Sequence, residues 1–88
     1  MTTPDYTPAE MRGKYICAFA SLSGSSPVLD CVRYASGERA DKPYLYNSIE
    51  DAKSDQNFDP EWDCVLRAEE YYSPDALKKA LQVITEIN

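Results

Sequence analysis

Side chains that carry oxygen ligands alternate along one stretch of the chain, where Asp55, Asn57, Asp59, Glu61 and Asp63 stand at every second position. Carboxylate and amide oxygens are the ligands that hard cations such as Ca²⁺ prefer. These five side chains are therefore the candidate metal ligands of the protein. A weak divalent-cation-binding module is one interpretation of the pattern.

The spacing resembles the start of an EF-hand calcium loop, but it departs from that motif at two defining positions. Counted from Asp55, Pro60 stands where the sharp turn of the loop needs glycine. Leu66 stands where a bidentate glutamate completes the coordination of the ion. We therefore favour a solvated acidic loop over a calcium site.

Negative charge is concentrated around this loop. Residues 50–75 contain nine acids and two bases, a balance of −7 in a chain whose net charge is −6. Three of the acids, Glu50, Asp51 and Asp75, have a local explanation, because the helix dipole stabilises carboxylates at the start of a helix. The other acids have no such explanation and indicate a basic partner.

Large aromatic side chains lie among the unexplained acids. In protein interfaces aromatic residues act as anchors, while acids steer a basic partner and set specificity. We therefore predict a protein-binding surface formed by Asp55, Asp59, Glu61, Trp62, Asp63, Glu69, Glu70, Tyr71 and Tyr72. The alternative is that Trp62, like Phe58, belongs to the hydrophobic core.

The usual signatures of catalysis are missing from the sequence. The chain has no histidine, which removes Ser-His and Cys-His nucleophile pairs, and its three glycines form no phosphate-binding loop. We therefore expect a protein that is not an enzyme and that uses no cofactor. The three cysteines, Cys17, Cys31 and Cys64, are odd in number and lack C-x-x-C spacing, so we expect free thiols in a reducing cytoplasm.

Apolar periodicity and turn signals predict one α+β domain over residues 1–88, with residues 1–6 flexible. A Ser- and Gly-containing turn separates two β-prone stretches, so we expect a hairpin over residues 14–22 and 28–34. Further short strands are predicted at residues 44–46 and 64–68.

Capping residues predict where the helices begin. Thr7 and Ser48 have the spacing of capping boxes, and Ser73 precedes a proline at the first helical position. We expect a short turn after Thr7, a short helix over residues 49–55, and a C-terminal helix over residues 74–87. Prolines that follow capping residues also permit an all-α bundle, which is the alternative fold.

Charge and size together favour a non-enzymatic inhibitor or adaptor. Its acidic surface would mask a basic protein surface, such as that of a nucleic-acid-binding protein, with carboxylates standing in for phosphates. In general style this resembles phage-encoded inhibitors of bacterial restriction or CRISPR machinery. The alternative is an immunity protein that neutralises a basic nuclease toxin.

The excess of acids also bears on what the protein does not bind and on where it resides. Negative charge argues against direct binding of nucleic acid or of an anionic membrane. The sequence shows neither a signal-peptide pattern nor a segment of membrane-spanning length. We therefore expect a cytoplasmic protein, in the cytoplasm of the host cell if the gene belongs to a phage.

Overall fold

The computed structural model describes residues 6–22, 24, 26–37 and 40–87, and their fold is α+β. The chain forms β1 (Tyr15–Ser21), β2 (Val28–Cys31) and β3 (Asp63–Arg67). It also forms α1 (Pro8–Met11), α2 (Ile49–Lys53), α3 (Ala68–Tyr71) and α4 (Ala76–Ile87). The predicted fold class is confirmed, and the sheet excludes the all-α alternative. Most of the segment predicted to be flexible lies outside the described residues.

The three strands form one antiparallel sheet in the order β2-β1-β3. The central strand β1 pairs with β2 through Ala18 opposite Cys31, and with β3 through Ala18 opposite Cys64. The β1–β2 pairing is the predicted hairpin, whereas β3 returns to the other side of β1 after a long connection that contains α2. This connection also contains the acidic loop, which we define as residues 55–63.

Each face of the sheet buries its own cluster of side chains, as alternation along β1 requires. On one face Ile16 and Ala18 pack with Ala68 of α3 and Ala76 of α4. On the other face Cys17 packs with Tyr46 and with Ala52 of α2. We call these the Ile16 face and the Cys17 face. Helices therefore cover both faces of the sheet.

The C-terminal helix contacts the sheet mainly through alanines. Ala76 and Ala80 of α4 are fully buried, whereas Leu77, Leu81 and Ile84 are half-buried. The larger residues that define the apolar stripe in the sequence therefore flank the contact instead of forming its centre. A methyl side chain lets the backbone of α4 approach the Ile16 face closely, where Ala18 is equally small.

Two of the three predicted helix caps are present, and the one at Thr7 is a full capping box with Glu10. Glu10 N donates to Thr7 Oγ1 at 3.2 Å, and Asp51 N donates to Ser48 Oγ at 3.0 Å. The third differs, because α4 begins at Ala76 and the Ser73 hydroxyl donates to the Glu70 carbonyl at 2.7 Å. That hydroxyl therefore closes the turn after α3 and does not cap α4.

The strand predicted at residues 44–46 is absent, and two isolated β-bridges, at Pro43 and at Tyr46, stand in its place. Tyr46 and Tyr15 exchange two backbone hydrogen bonds of 2.8 and 2.9 Å, and Tyr34 makes a second isolated bridge with Pro43. The bonds around the second bridge come from the flanking residues, since Ala35 N donates to the Lys42 carbonyl and Tyr44 N to the Arg33 carbonyl, both at 2.9 Å. The bridge to Tyr15 fixes Tyr46 over the Cys17 face, next to the acidic loop. In the described part of the chain, no helix has the length and apolar character needed to cross a membrane.

Candidate protein-binding site

The carboxylate of Asp55 is bound inside the protein. Its side chain is 2% exposed and accepts hydrogen bonds from Arg33, with Nε at 2.6 Å and Nη2 at 3.3 Å, and from the Tyr46 hydroxyl. The Asn57 backbone amide donates to the same carboxylate at 2.9 Å. The Arg33 guanidinium and then the Tyr46 hydroxyl hold the pKa of Asp55 well below its usual range. Asp55 therefore anchors the loop, and its carboxylate is engaged within the chain, so its role in partner binding stays a prediction.

The middle of the acidic loop is held by its own hydrogen bonds. The Asp59 carbonyl accepts from Trp62 N at 3.0 Å and from Asp63 N at 2.8 Å. Glu61 N donates to Asp59 Oδ1 at 3.0 Å, and Asp59 N donates to Asp63 Oδ2 at 2.7 Å. Four bonds within five residues leave this segment little freedom, so its outward side chains are presented in a defined arrangement.

Four residues of this segment are exposed: Asp59, Pro60, Glu61 and Trp62, of which Trp62 is 50% exposed. We call the two acids and the tryptophan of this set, Asp59, Glu61 and Trp62, the outer loop. Phe58, by contrast, packs against the core cluster of the Cys17 face. The alternative prediction that both aromatics are core is therefore correct for Phe58 and wrong for Trp62.

Asp63 lies below the outer loop and is buried, with 9% of its surface exposed. Burial raises the pKa of its carboxyl group, and the nearby charge of Asp59 acts in the same direction. The hydrogen bond from Asp59 N opposes this shift. Asp63 is therefore a structural acceptor that does not belong to the exposed acidic surface.

The alternating oxygens of the acidic loop do not converge on a common point. The Asp55 carboxylate is directed to Arg33 and Tyr46, while Asp63 Oδ2 accepts from a backbone amide. Among the residues that the structure describes, no group of three or more His, Cys, Asp or Glu side chains could hold a metal ion. The side chains of Asp55, Asn57, Asp59, Glu61 and Asp63 therefore do not surround a common cation position in this structure.

The second predicted group, Glu69 to Tyr72, lies on and just after α3. Glu69 is exposed, but the Glu70 carboxylate accepts from Arg67 Nε at 3.2 Å and from Lys79 Nζ. Lys79 is the main cause of the lowered pKa of Glu70. Glu70 therefore joins α3 to α4 through Lys79, and its role in partner binding stays a prediction.

The two tyrosines of this group also differ from each other. Tyr71 is half-buried and packs against both core clusters of the Ile16 face. Tyr72 is about half exposed, and its ring lies edge-on to that of Tyr71, with centroids 5.0 Å apart. Of the second group, Glu69 and Tyr72 are therefore the members at the surface.

The structure places the two predicted groups at opposite ends of β3. The outer loop precedes β3 and α3 follows it, and at roughly 3.3 Å per residue this strand spans about 13 Å. Phe58 of the acidic loop packs on the Cys17 face, whereas Ala68 of α3 packs on the Ile16 face. The outer loop and the α3 group therefore lie about one strand length apart, next to opposite faces of the sheet.

Sequence inspection did not identify the two residues that anchor the loop. Arg33 and Tyr46 are 22 and 9 positions away from Asp55, and no local motif links them. Arg33 lies in a β-prone stretch, but an exposed arginine needs no carboxylate partner, so no signal in the sequence points to this contact. Comparison with protein-family models, with curated proteins and with solved structures finds no match to this chain.

Proposed function

We propose that this protein is a non-enzymatic binding protein whose outer loop docks onto a basic protein surface. The observation that supports the proposal is the outer loop itself: two exposed carboxylates and a half-exposed indole on a segment held by four internal hydrogen bonds. A loop that is ordered before binding loses little conformational entropy when it binds.

The indole and the acids have different tasks in this proposal. Trp62 supplies the anchor, because tryptophan is enriched among residues whose truncation costs an interface about 2 kcal/mol or more. Asp59 and Glu61 supply electrostatic complementarity, which raises the association rate and rejects acidic partners. The net charge of −6 extends the same field over the whole molecule.

The partner that we propose is a protein whose basic surface binds nucleic acid. Such surfaces are lined by Lys and Arg placed to neutralise phosphates, so exposed carboxylates on a rigid loop can occupy them. Occupation would mask the surface and inhibit the partner, as in the inhibitors of restriction or CRISPR systems that the composition resembles.

Affinity capture from a bacterial lysate tests this function. The immobilised protein is washed at low and at high salt, beside the triple variant Asp59→Lys, Glu61→Lys, Trp62→Ala as a matched control. We expect a basic, nucleic-acid-binding protein that is retained by the wild type, released by salt and not retained by the variant. Capture that is equal for both proteins, or that resists salt, would contradict the proposal.

A further inference from the structure

A second feature of the Cys17 face lies beside the outer loop. A pocket of about 450 Å³ opens between α2, the acidic loop and the start of β3. Its volume lies within the range of about 300–1,000 Å³ that is typical of ligand sites. The walls are mainly apolar and are formed by Ile49, Phe58, Pro60 and Val65.

Asp63 is the one acidic residue among those that line this pocket. Asp63 is 9% exposed, and the one hydrogen bond that its carboxylate accepts within the described residues comes from Asp59 N at 2.7 Å. A charge in such surroundings has lost most of its hydration, and a cation that enters the pocket would compensate this loss.

The other charged group at the pocket is Lys53, on the α2 wall. Within the described part of the chain it forms no ion pair, so it does not neutralise Asp63. Its position next to the pocket makes it a source of repulsion for any incoming cation. Removing the charge of Lys53 should therefore strengthen the binding of a cation in the pocket, whereas removing the charge of Asp63 should weaken it.

We propose that this pocket binds a lysine or arginine side chain of the basic partner. The aliphatic stem of such a side chain would contact the apolar walls, while its charged end would face the Asp63 carboxylate. Charge complementarity selects this occupant. The exposed acids Asp59 and Glu61 flank Pro60, which lines the pocket, and they favour a cation over a neutral apolar group. The inference rests on the proposed function, since the occupant belongs to the same partner.

A small probe tests the pocket without the partner. The ¹⁵N-labelled protein is titrated with n-butylguanidinium chloride and followed by NMR, with sodium chloride and n-butanol as separate controls. We expect saturable shifts of the Phe58, Asp63 and Val65 amides with the guanidinium probe alone. Equal shifts with n-butanol would indicate an apolar occupant, and shifts that merely follow salt would indicate screening; either result would overturn the inference.

Three variants sharpen the test. Lys53→Gln is expected to tighten probe binding by roughly two- to fivefold, because a nearby like charge is removed. Lys78→Gln makes the same change of net charge on α4, on the opposite face of the sheet, and should leave binding unchanged. Asp63→Asn, which keeps an acceptor for Asp59 N, should weaken binding by roughly tenfold or more. If Asp63→Asn does not fold, the comparison of Lys53→Gln with Lys78→Gln still tests the inference. Equal effects of these two variants on probe binding would overturn it.

The probe also separates this inference from the proposed function. If the protein captures a basic partner through the outer loop but does not bind the probe, the proposed function is supported and the pocket inference is overturned. If it binds the probe but captures no basic partner, the pocket is supported as a site for basic side chains and the proposed function is contradicted.

Discussion

Replacing Asp55 with alanine is the sharpest test of how the acidic loop is anchored. The change removes the acceptor of four hydrogen bonds, two from Arg33 and one each from Tyr46 and Asn57. Leaving the buried Tyr46 hydroxyl without its partner costs about 1–3 kcal/mol. The ion pair adds roughly 0–1 kcal/mol, because the Arg33 side chain is partly exposed. We therefore expect Asp55→Ala to lower the free energy of unfolding by about 1–4 kcal/mol.

Thermal and urea unfolding followed by circular dichroism measure this loss. In a domain of this size each kcal/mol lowers Tm by roughly 4–8 °C. Glu61→Ala is the matched control, because it removes one exposed carboxylate from the same loop and should change stability by less than about 0.5 kcal/mol. If the two variants were equally stable, the anchoring role of Asp55 would be refuted.

The pH dependence of the same variant gives an independent check. Because the folded pKa of Asp55 is lowered, the unfolded chain takes up a proton first as the pH falls. The stabilisation from Asp55 is therefore complete above the ordinary aspartate pKa of about 4 and is lost below it. The difference in unfolding free energy between wild type and Asp55→Ala should shrink as the pH falls below about 4.

Two further predictions concern buried groups. Asp63→Asn should raise Tm at neutral pH, because it removes a buried carboxylate whose pKa is raised in the folded protein and keeps an acceptor for Asp59 N. This gain in Tm should vanish as the pH falls below the ordinary aspartate pKa of about 4, where the carboxyl group is protonated in both the folded and the unfolded protein. A gain that persists at low pH would contradict this account of Asp63. Cys17, Cys31 and Cys64 are free, and burial raises the pKa of each thiol to about 11. Iodoacetamide at neutral pH should therefore alkylate the folded protein more slowly than the urea-unfolded chain, as mass spectrometry would show.

The elements that local chemistry specifies are predictable from the sequence. The hairpin follows from two β-prone stretches around a Ser- and Gly-containing turn, and the caps at Thr7 and Ser48 follow from single hydroxyl groups. By contrast, the sequence did not predict α3, which is four residues long and begins next to the Arg67–Glu70 pair. Such a short helix depends on its packing partners more than on its own propensity.

The candidate site was predictable in composition but not in arrangement. Alternating acids indicate an acidic surface, yet whether a given carboxylate faces the solvent depends on partners distant in sequence. The Asp55 carboxylate is buried because Arg33 and Tyr46 reach it across the Cys17 face, and the partly exposed Glu70 carboxylate is paired because Lys79 of α4 reaches it. Trp62 is at the surface because its segment turns back on Asp59 before β3 begins.

The proposed docking surface is tested most directly by two matched charge reversals. Glu61→Lys changes the outer loop, and Glu69→Lys makes the same change at the other end of β3. The dissociation constant of the captured basic partner is measured for both variants at low and high salt. We predict that Glu61→Lys weakens binding by roughly tenfold at low salt, that Glu69→Lys changes it by less than about twofold, and that salt reduces the difference. Equal effects of the two reversals, or a partner affinity that neither reversal nor salt alters, would contradict the proposal that the outer loop is the docking surface.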